Sequence, residues 1–209
     1  MEKNNLGKFH LDVFKELGNI GSGNALISLS KLINRRVEMH VPTINILEYG
    51  EVAELMGGAE VPVVGILLDF TGDIRGCIMF VLEPQYAYSL IGVLRNKNVQ
   101  DITELGEIDV SALKEVGNIL AGAYLSALTK ISKLDILPSV PYFAYDMAGA
   151  ILSVPAIQFG QMSDNILYIE TFFAEGTNNI MGKCFLIPDW VSSDILLKAL
   201  GVKQDEWNH

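Results

Sequence analysis

A short motif that occurs twice constrains the fold of this chain more than any other sequence feature. Residues 16–20 read Glu-Leu-Gly-Asn-Ile, and residues 115–119, 99 positions later, read Glu-Val-Gly-Asn-Ile. Gly23 and Gly122 match at the same offset. A carboxylate, a glycine and a carboxamide kept at one spacing in both places indicate an internal duplication, so the two halves of the chain should repeat one pattern of elements.

Each motif lies in a long segment with apolar residues at helical spacing, predicted as helices over Leu11–Ile33 and Asp109–Ser132. Asp109 or Ser111 is expected near the cap of the second helix. Shorter helices are predicted at Glu51–Met56, Pro84–Leu94 and from Pro188 to near Gly201, and strands at Arg36–Val41, Ile44–Tyr49, Val61–Phe70, Ile74–Leu82, Leu134–Val140, Ile166–Phe173 and Met181–Ile187.

The segment 146–150, Asp-Met-Ala-Gly-Ala, is compatible with either a short helix or a bulged strand. The polar stretch 96–106 is the expected connection between the halves. The prediction is an α/β (α+β) fold: residues 1–209 form one pseudo-twofold domain of two repeats, about 9–95 and 107–201, with a mainly antiparallel sheet and two long motif-bearing helices. The prolines that open the last helix of each half are offset by 104, so about five residues are inserted in the second half.

The composition excludes several classes of protein. Of the 209 residues, 50% are hydrophobic and 19% are charged, which is typical of a compact globular chain. The net charge of −10 disfavours nucleic acid and anionic membranes as partners. The longest apolar stretch, Val140–Phe159, is interrupted by Asp146 and two prolines, so an integral membrane protein is not expected.

The residues that most often build metal sites and catalytic triads are scarce. The chain has two cysteines, Cys77 and Cys184, both in apolar strand-like runs where a buried free thiol is the usual state. Its three histidines are scattered, which leaves little material for a zinc site or a Ser-His-Asp triad. The cytosol is the expected compartment, and no metal ligands are predicted.

The chemistry of the motif can be considered from its spacing. Residues three apart on a helix lie on one face, so Glu16 and Asn19 should point the same way, as should Glu115 and Asn118. Such pairs are most often a solvated helix face. The glycine-rich run 18–23 does not qualify as a nucleotide-binding loop, because no strand precedes it and no lysine follows at the required spacing.

The full pattern around each pair is longer and more specific. Both copies consist of Asp or Ser, three residues, Glu, two residues, Asn, twenty-two residues and Pro: Asp12, Glu16, Asn19 and Pro42 in the first, and Ser111, Glu115, Asn118 and Pro141 in the second. This pattern resembles the signature of the CheC/CheX/FliY family of bacterial chemotaxis phosphatases. With two copies and no room for a flagellar-switch domain, the chain is most similar to the CheC members.

The resemblance implies a protein-aspartate phosphatase that acts on the phosphorylated response regulator CheY. Glu16, Asn19, Glu115 and Asn118 would be the catalytic residues, with Asp12, Ser111, Pro42 and Pro141 in supporting roles. An asparagine can orient a water without becoming charged, and a glutamate can pair with a basic group of the partner. The protein would need no cofactor of its own, since Mg²⁺ would be supplied by the regulator.

The resemblance also implies a second partner, the receptor deamidase CheD, with Asp146 as its candidate contact. Two alternatives stay open. The chain is either a phosphatase or a non-catalytic adaptor for CheD or for flagellar switch components, and a FliY-like role at the motor is a further variant. The two sites also need not be equally active, because their neighbouring residues differ.

Overall fold

The structure is a computed structural model that describes residues 8–34, 36–39, 44–159, 165–175 and 178–201. The helices among them are α1 (Lys8–Ile33), α2 (Val52–Leu55), α3 (Pro84–Arg95), α4 (Glu107–Ser132), α5 (Ala148–Phe159) and α6 (Trp190–Ala199). The strands are β1 (Glu38–Met39), β2 (Ile44–Glu48), β3 (Pro62–Gly72), β4 (Gly76–Leu82), β5 (Ile136–Pro138), β6 (Tyr142–Met147), β7 (Asn165–Glu175) and β8 (Asn178–Pro188).

The strands form one antiparallel sheet in which the two halves of the chain exchange strands. The order is β1-β7-β8-β4-β3-β5, with β2 also on β7 and β6 also on β3. The first two strands of each half therefore pair with the hairpin of the other half, and β4 and β8 meet at the centre. This arrangement confirms the predicted α/β fold with its mainly antiparallel sheet and its two long motif-bearing helices.

The strand register follows the duplication. Glu38 of β1 pairs with Ala174 of β7, and Leu137, 99 positions after Glu38, pairs with Thr71 of β3. The second half carries the 12-residue α5 between β6 and β7, whereas the first half has the four-residue α2 between β2 and β3. By this register β7 follows β3 by 103 positions, so four of the extra residues lie before β7, where α5 is longer than α2.

Two helical layers cover the sheet, and alternating strand residues fill the two cores. Ile78 and Phe80 of β4 point into the core beneath α1, α3, α4 and α6, whereas Met79 and Val81 point into the core beneath α2 and α5. Every residue of β4 is buried, as expected for a strand covered on both faces.

Both cysteines are free and buried, as predicted. Cys77 belongs to the core under α5 and Cys184 to the core on the opposite face of the sheet. Burial raises the pKa of both thiols, with a further contribution from the Asp69 charge for Cys77. Protonated thiols are poor nucleophiles, so neither cysteine is suited to catalysis.

Three predicted details of the helices were open or wrong. The cap of α4 is Gly106, and Asp109 is its third residue, whose carboxylate accepts the Gly106 N–H at 3.0 Å. Pro188 does not open the last helix, because it ends β8 opposite Gly76. Asp189 caps α6 instead by accepting the Ser192 N–H at 2.8 Å. The ambiguous segment 146–150 is the end of β6 followed by the start of α5.

The glycines of α1 serve different purposes. A Cβ placed on Gly21 would meet the ring of Tyr124 in α4, whereas a Cβ on Gly23 would have no atom within 4 Å. Gly21 therefore permits the close approach of the two long helices. Gly23 does not contribute to that contact.

Gly21→Ala and Gly23→Ala form a matched pair on one helix. We expect Gly21→Ala to lower the free energy of unfolding by about 1–3 kcal/mol through overpacking against Tyr124. Gly23→Ala should raise it by up to about 1 kcal/mol, since alanine is the better helix former. Urea unfolding of both variants measures the difference, and equal stabilities would contradict the assigned packing.

Candidate active site

The first Glu/Asn pair lies on the outer face of α1. Leu17, Ala25 and Leu29 are buried on the side of the helix that faces the sheet and α4. Glu16 and Asn19 are exposed on the opposite side. The periodicity of the apolar residues thus fixes where the polar pair points.

The second pair has the same placement on α4. Leu113, Val116 and Tyr124 are buried, and Glu115 and Asn118 are exposed. Contacts between α1 and α4 are the most extensive of any helix pair among the described residues. Both pairs are therefore carried by one packed helical layer and face away from the sheet.

None of these four side chains forms a hydrogen bond or ion pair within the part of the chain that the structure describes. A glutamate and an asparagine that stabilise their own fold would be expected to hold such partners. These groups are instead free to contact another molecule, and the helix backbone fixes their separation.

The exposed face of each long helix that carries its Glu/Asn pair, here called the exposed stripe, extends one turn beyond the asparagine. Gly23 and Gly122 follow Asn19 and Asn118 by four residues, and a Cβ on either glycine would have no atom within 4 Å. The absent side chains leave space beside each carboxamide. Their spacing of four residues from the asparagine places both glycines on the exposed stripe rather than in the packing between the helices.

The two stripes differ a further turn along. Ile27 is 58% exposed on α1, and the corresponding residue on α4 is the exposed Ser126. Each of these two residues follows its asparagine by eight positions. That helical spacing can be read from the sequence, although the four-residue motif does not include it. The surroundings of the two pairs are therefore chemically unequal.

The supporting motif residues are only partly described. Ser111 is exposed one turn before Glu115, on the same face of α4. Pro141 is half-buried between β5 and β6. Asp12 lies in α1 but its side chain is outside the described residues, and so is Pro42.

The start of α4 is anchored by a buried carboxylate. Asp109 accepts a hydrogen bond from Lys97 at 2.7 Å and lies 3.2 Å from the Arg95 guanidinium. The Lys97 hydrogen bond, with the Gly106 N–H and the nearby cations, lowers the pKa of Asp109. These contacts fix the first turn of the helix that presents Glu115 and Asn118.

Asp146 is not brought together with the Glu/Asn pairs. It pairs with Val63 in the sheet, on the face covered by α5, whereas α1 and α4 cover the other face. Its carboxylate accepts the Met147 N–H at 2.8 Å where the strand passes into α5. Asp146 and the motif residues therefore belong to different surfaces.

Comparison with known proteins agrees with this geometry. The model of the CheC-like family matches residues 9–46 and 109–145, the two motif-bearing regions. A Bacillus subtilis protein named CheY-P phosphatase CheC is 36% identical over 202 residues, covering 95% of this chain and 97% of that protein. The chain belongs to the CheC-like family. The family predicted from the duplicated motif is therefore confirmed.

Solved structures share the fold of this CheC-like chain. Thermotoga maritima FliY has a TM-score of 0.68 at 20% identity, covering 94% of this chain and 98% of that one. A chain from the Borrelia burgdorferi CheX-CheY-BeF3-Mg complex has a TM-score of 0.52 at 15% identity, covering 82% of this chain and 97% of that one. At these identities the likeness concerns the fold alone.

Two further properties concern the described residues. None of their helices combines the length and apolarity needed to cross a bilayer. No group of three or more His, Cys, Asp or Glu side chains among them is arranged to hold a metal ion.

Proposed function

We propose that this CheC-like protein is a phosphatase that hydrolyses the aspartyl phosphate of the response regulator CheY. The observation that carries the proposal is the pair of Glu/Asn sites, exposed and without internal partners, on two packed helices. The relative at 36% identity, named CheY-P phosphatase CheC, supports CheY as the substrate.

The proposed reaction needs a water in line with the bond that breaks. The water oxygen bonds to phosphorus while the bond from phosphorus to the aspartyl oxygen breaks, which releases inorganic phosphate and the regulator's carboxylate. Asn19 and Asn118 each offer one carbonyl acceptor and two N–H donors, so each can hold that water without taking up a charge. Their contribution is positioning.

Glu16 and Glu115 are proposed to dock to a basic group at the regulator's active site. Each lies on the same helix face as its asparagine, so a charge-assisted hydrogen bond to the glutamate would set the position of the carboxamide. The open space at Gly23 and Gly122 would admit the regulator's surface beside each pair. Ser111 and Asp12 would contact the periphery, and Pro42 and Pro141 would shape the adjoining chain.

The Mg²⁺ that neutralises the phosphoryl oxygens is proposed to belong to the regulator. This chain would then bring to the reaction a helix-mounted water-positioning group and a docking carboxylate. The cytoplasm is the proposed compartment, because a phosphorylated chemotaxis regulator acts there and buried free cysteines are compatible with a reducing environment.

Removal of both carboxamides tests the mechanism. We expect Asn19→Ala together with Asn118→Ala to reduce catalysed phosphate release from phosphorylated CheY by about a hundredfold or more, because the water loses its positioning group. Each single variant should retain the activity of the other site. Phosphate release is followed against the regulator alone.

Asn24 provides the matched control for that experiment. It is also exposed on α1, but it points away from the face that carries Glu16 and Asn19. Asn24→Ala should keep the full rate. If the double variant also kept the full rate, the adaptor alternative would replace the phosphatase proposal.

The unequal residues beyond the two pairs predict unequal docking. With the second site silenced by Asn118→Ala, Ile27→Ser should raise the KM for phosphorylated CheY at the first site and leave kcat largely unchanged. Loss of a partly exposed isoleucine from the contact corresponds to about 1 kcal/mol, or roughly fivefold in KM. Leu32→Ser, on a different face of α1, is the control, and an equal effect of both changes would contradict the prediction.

We further propose CheD as a second partner, on the face of the sheet opposite the phosphatase sites. Asp146 is exposed at the end of β6, beside the exposed Met147 and on the side of the sheet where Val154 and Ile157 are also exposed. A carboxylate beside several apolar side chains is a composition suited to protein docking. FliY-like binding to the flagellar motor is the alternative use of such a surface.

Charge reversal at Asp146 tests this partner. We expect Asp146→Lys to weaken binding to CheD at least tenfold in a calorimetric titration, because the change opposes any complementary cation on the partner. Phosphatase activity in the absence of CheD should be unaffected, since Asp146 is not on the α1–α4 layer. Unchanged CheD affinity would remove Asp146 from the interface.

A further inference from the structure

A cavity of about 410 Å³ lies between α5 and the strands β3 and β6. It is on the face of the sheet opposite the Glu/Asn pairs, and none of those residues lines it. Most of its wall is apolar and is formed by Gly65, Leu67, Tyr142, Ala144, Ile151 and Val154. Its volume is within the range of pockets that hold small organic ligands.

Small residues in the sheet create this space. Gly65 of β3 pairs directly with Ala144 of β6, so the sheet presents almost no side chain at that point. A Cβ on Gly65 would lie 2.9 Å from Ile151 Cγ2, so the helix already rests on the glycine. The gap beside this contact is therefore set by the backbone positions of β3, β6 and α5.

One acidic group is placed at the wall of the cavity. The Asp69 side chain accepts a hydrogen bond from Gln158 Nε2 at 2.9 Å through Oδ2, while Oδ1 is buried and has no hydrogen-bond partner among the described residues.

The position of Asp69 is fixed by its backbone. Its N–H donates to Ser139 Oγ at 3.0 Å, and its carbonyl accepts the Ser139 N–H at 2.7 Å. With Gln158 holding Oδ2, the carboxylate is restrained on both sides. Asp69 is the only charged residue among the described residues that line the cavity.

We propose that this cavity binds a small organic amine: an apolar, ring-sized body with one ammonium or N–H donor directed at the Asp69 carboxylate. The apolar walls accommodate the body, and the carboxylate selects for a donor at one end. A carboxylate ligand would face the Asp69 charge, and a purely apolar ligand would leave that charge without a counterion. The proposal does not depend on the phosphatase reaction.

Three probes of similar size test the proposed ligand class: phenethylamine, 2-phenylethanol and 3-phenylpropionate. Each is titrated into the full chain, and binding is followed by the chemical shifts of α5 and β6 amides. We expect saturable binding of the amine at least tenfold tighter than that of the alcohol, and no saturable binding of the carboxylate. Equal affinities for all three, or no saturable binding of the amine up to its solubility limit, would overturn the proposal.

Variants test separately the charge of Asp69 and the free volume of the cavity. Asp69→Asn keeps the shape and should weaken amine binding at least tenfold, whereas Asp146→Asn, an exposed carboxylate of β6, is the control and should have no effect. Ala144→Leu and Val154→Phe fill the cavity from the sheet and from the helix, and either should abolish binding. Thermal unfolding identifies the folded variants. Unchanged amine affinity in a folded Asp69→Asn protein, or in a folded filled variant, would contradict the assigned site.

Discussion

The exchange of strands between the two halves is the constraint on which the rest of this structure depends. Because β1 and β2 pair with β7, and β5 and β6 pair with β3, neither half completes its sheet alone. The central β4–β8 pairing joins the two hairpins, and the apolar side chains of β4 enter both cores. A duplicated sequence is thereby bound into a single hydrogen-bonded sheet.

This exchange also determines where the long helices lie. Both α1 and α4 contribute to the same core on one face of the sheet, with Gly21 admitting the ring of Tyr124 between them. Their buried residues leave the Glu/Asn stripes exposed on the outer side. A functional group mounted on a long, packed helix keeps its geometry without side-chain partners, and this is why the pairs can be both rigidly placed and chemically free.

Much of this organisation was predictable because it is periodic or repeated. Helical spacing located α1 and α4, and the 99-residue offset indicated the duplication and the family. The caps were less predictable: Asp109 acts from the third position of its helix, and Asp189 displaces Pro188 as the start of α6. Both depend on backbone geometry that residue preferences do not specify.

The roles of the individual site residues stay predictions, since the fold positions Glu16, Asn19, Glu115 and Asn118 without revealing what they contact. The exposure of the residues beyond each asparagine could not be predicted without the structure, for a physical reason. The helical spacing of Gly23 and Ile27 was present in the sequence, but only packing distinguishes an open glycine from one, like Gly21, that admits another helix.

The cavity under α5 could not be predicted from the sequence for a similar reason. It depends on Gly65 pairing with Ala144, two residues 79 positions apart, and strand register cannot be derived from either segment alone.

Because the sequence is duplicated, each half of the chain can be compared with the other, and the differences between the halves are informative. The motif face was kept in both halves, whereas α2 has four residues and its counterpart α5 has 12. One face of the sheet is alike in both halves, and the other face differs between them. This indicates that the two faces serve different functions. One face repeats a polar pair suited to catalysis. The other carries the long α5 and the exposed residues around Asp146, both from the second half, beside the cavity that Asp69 of the first half lines. The strands β3 and β6 line that cavity on one face of the sheet and contribute to the core beneath α4 on the other.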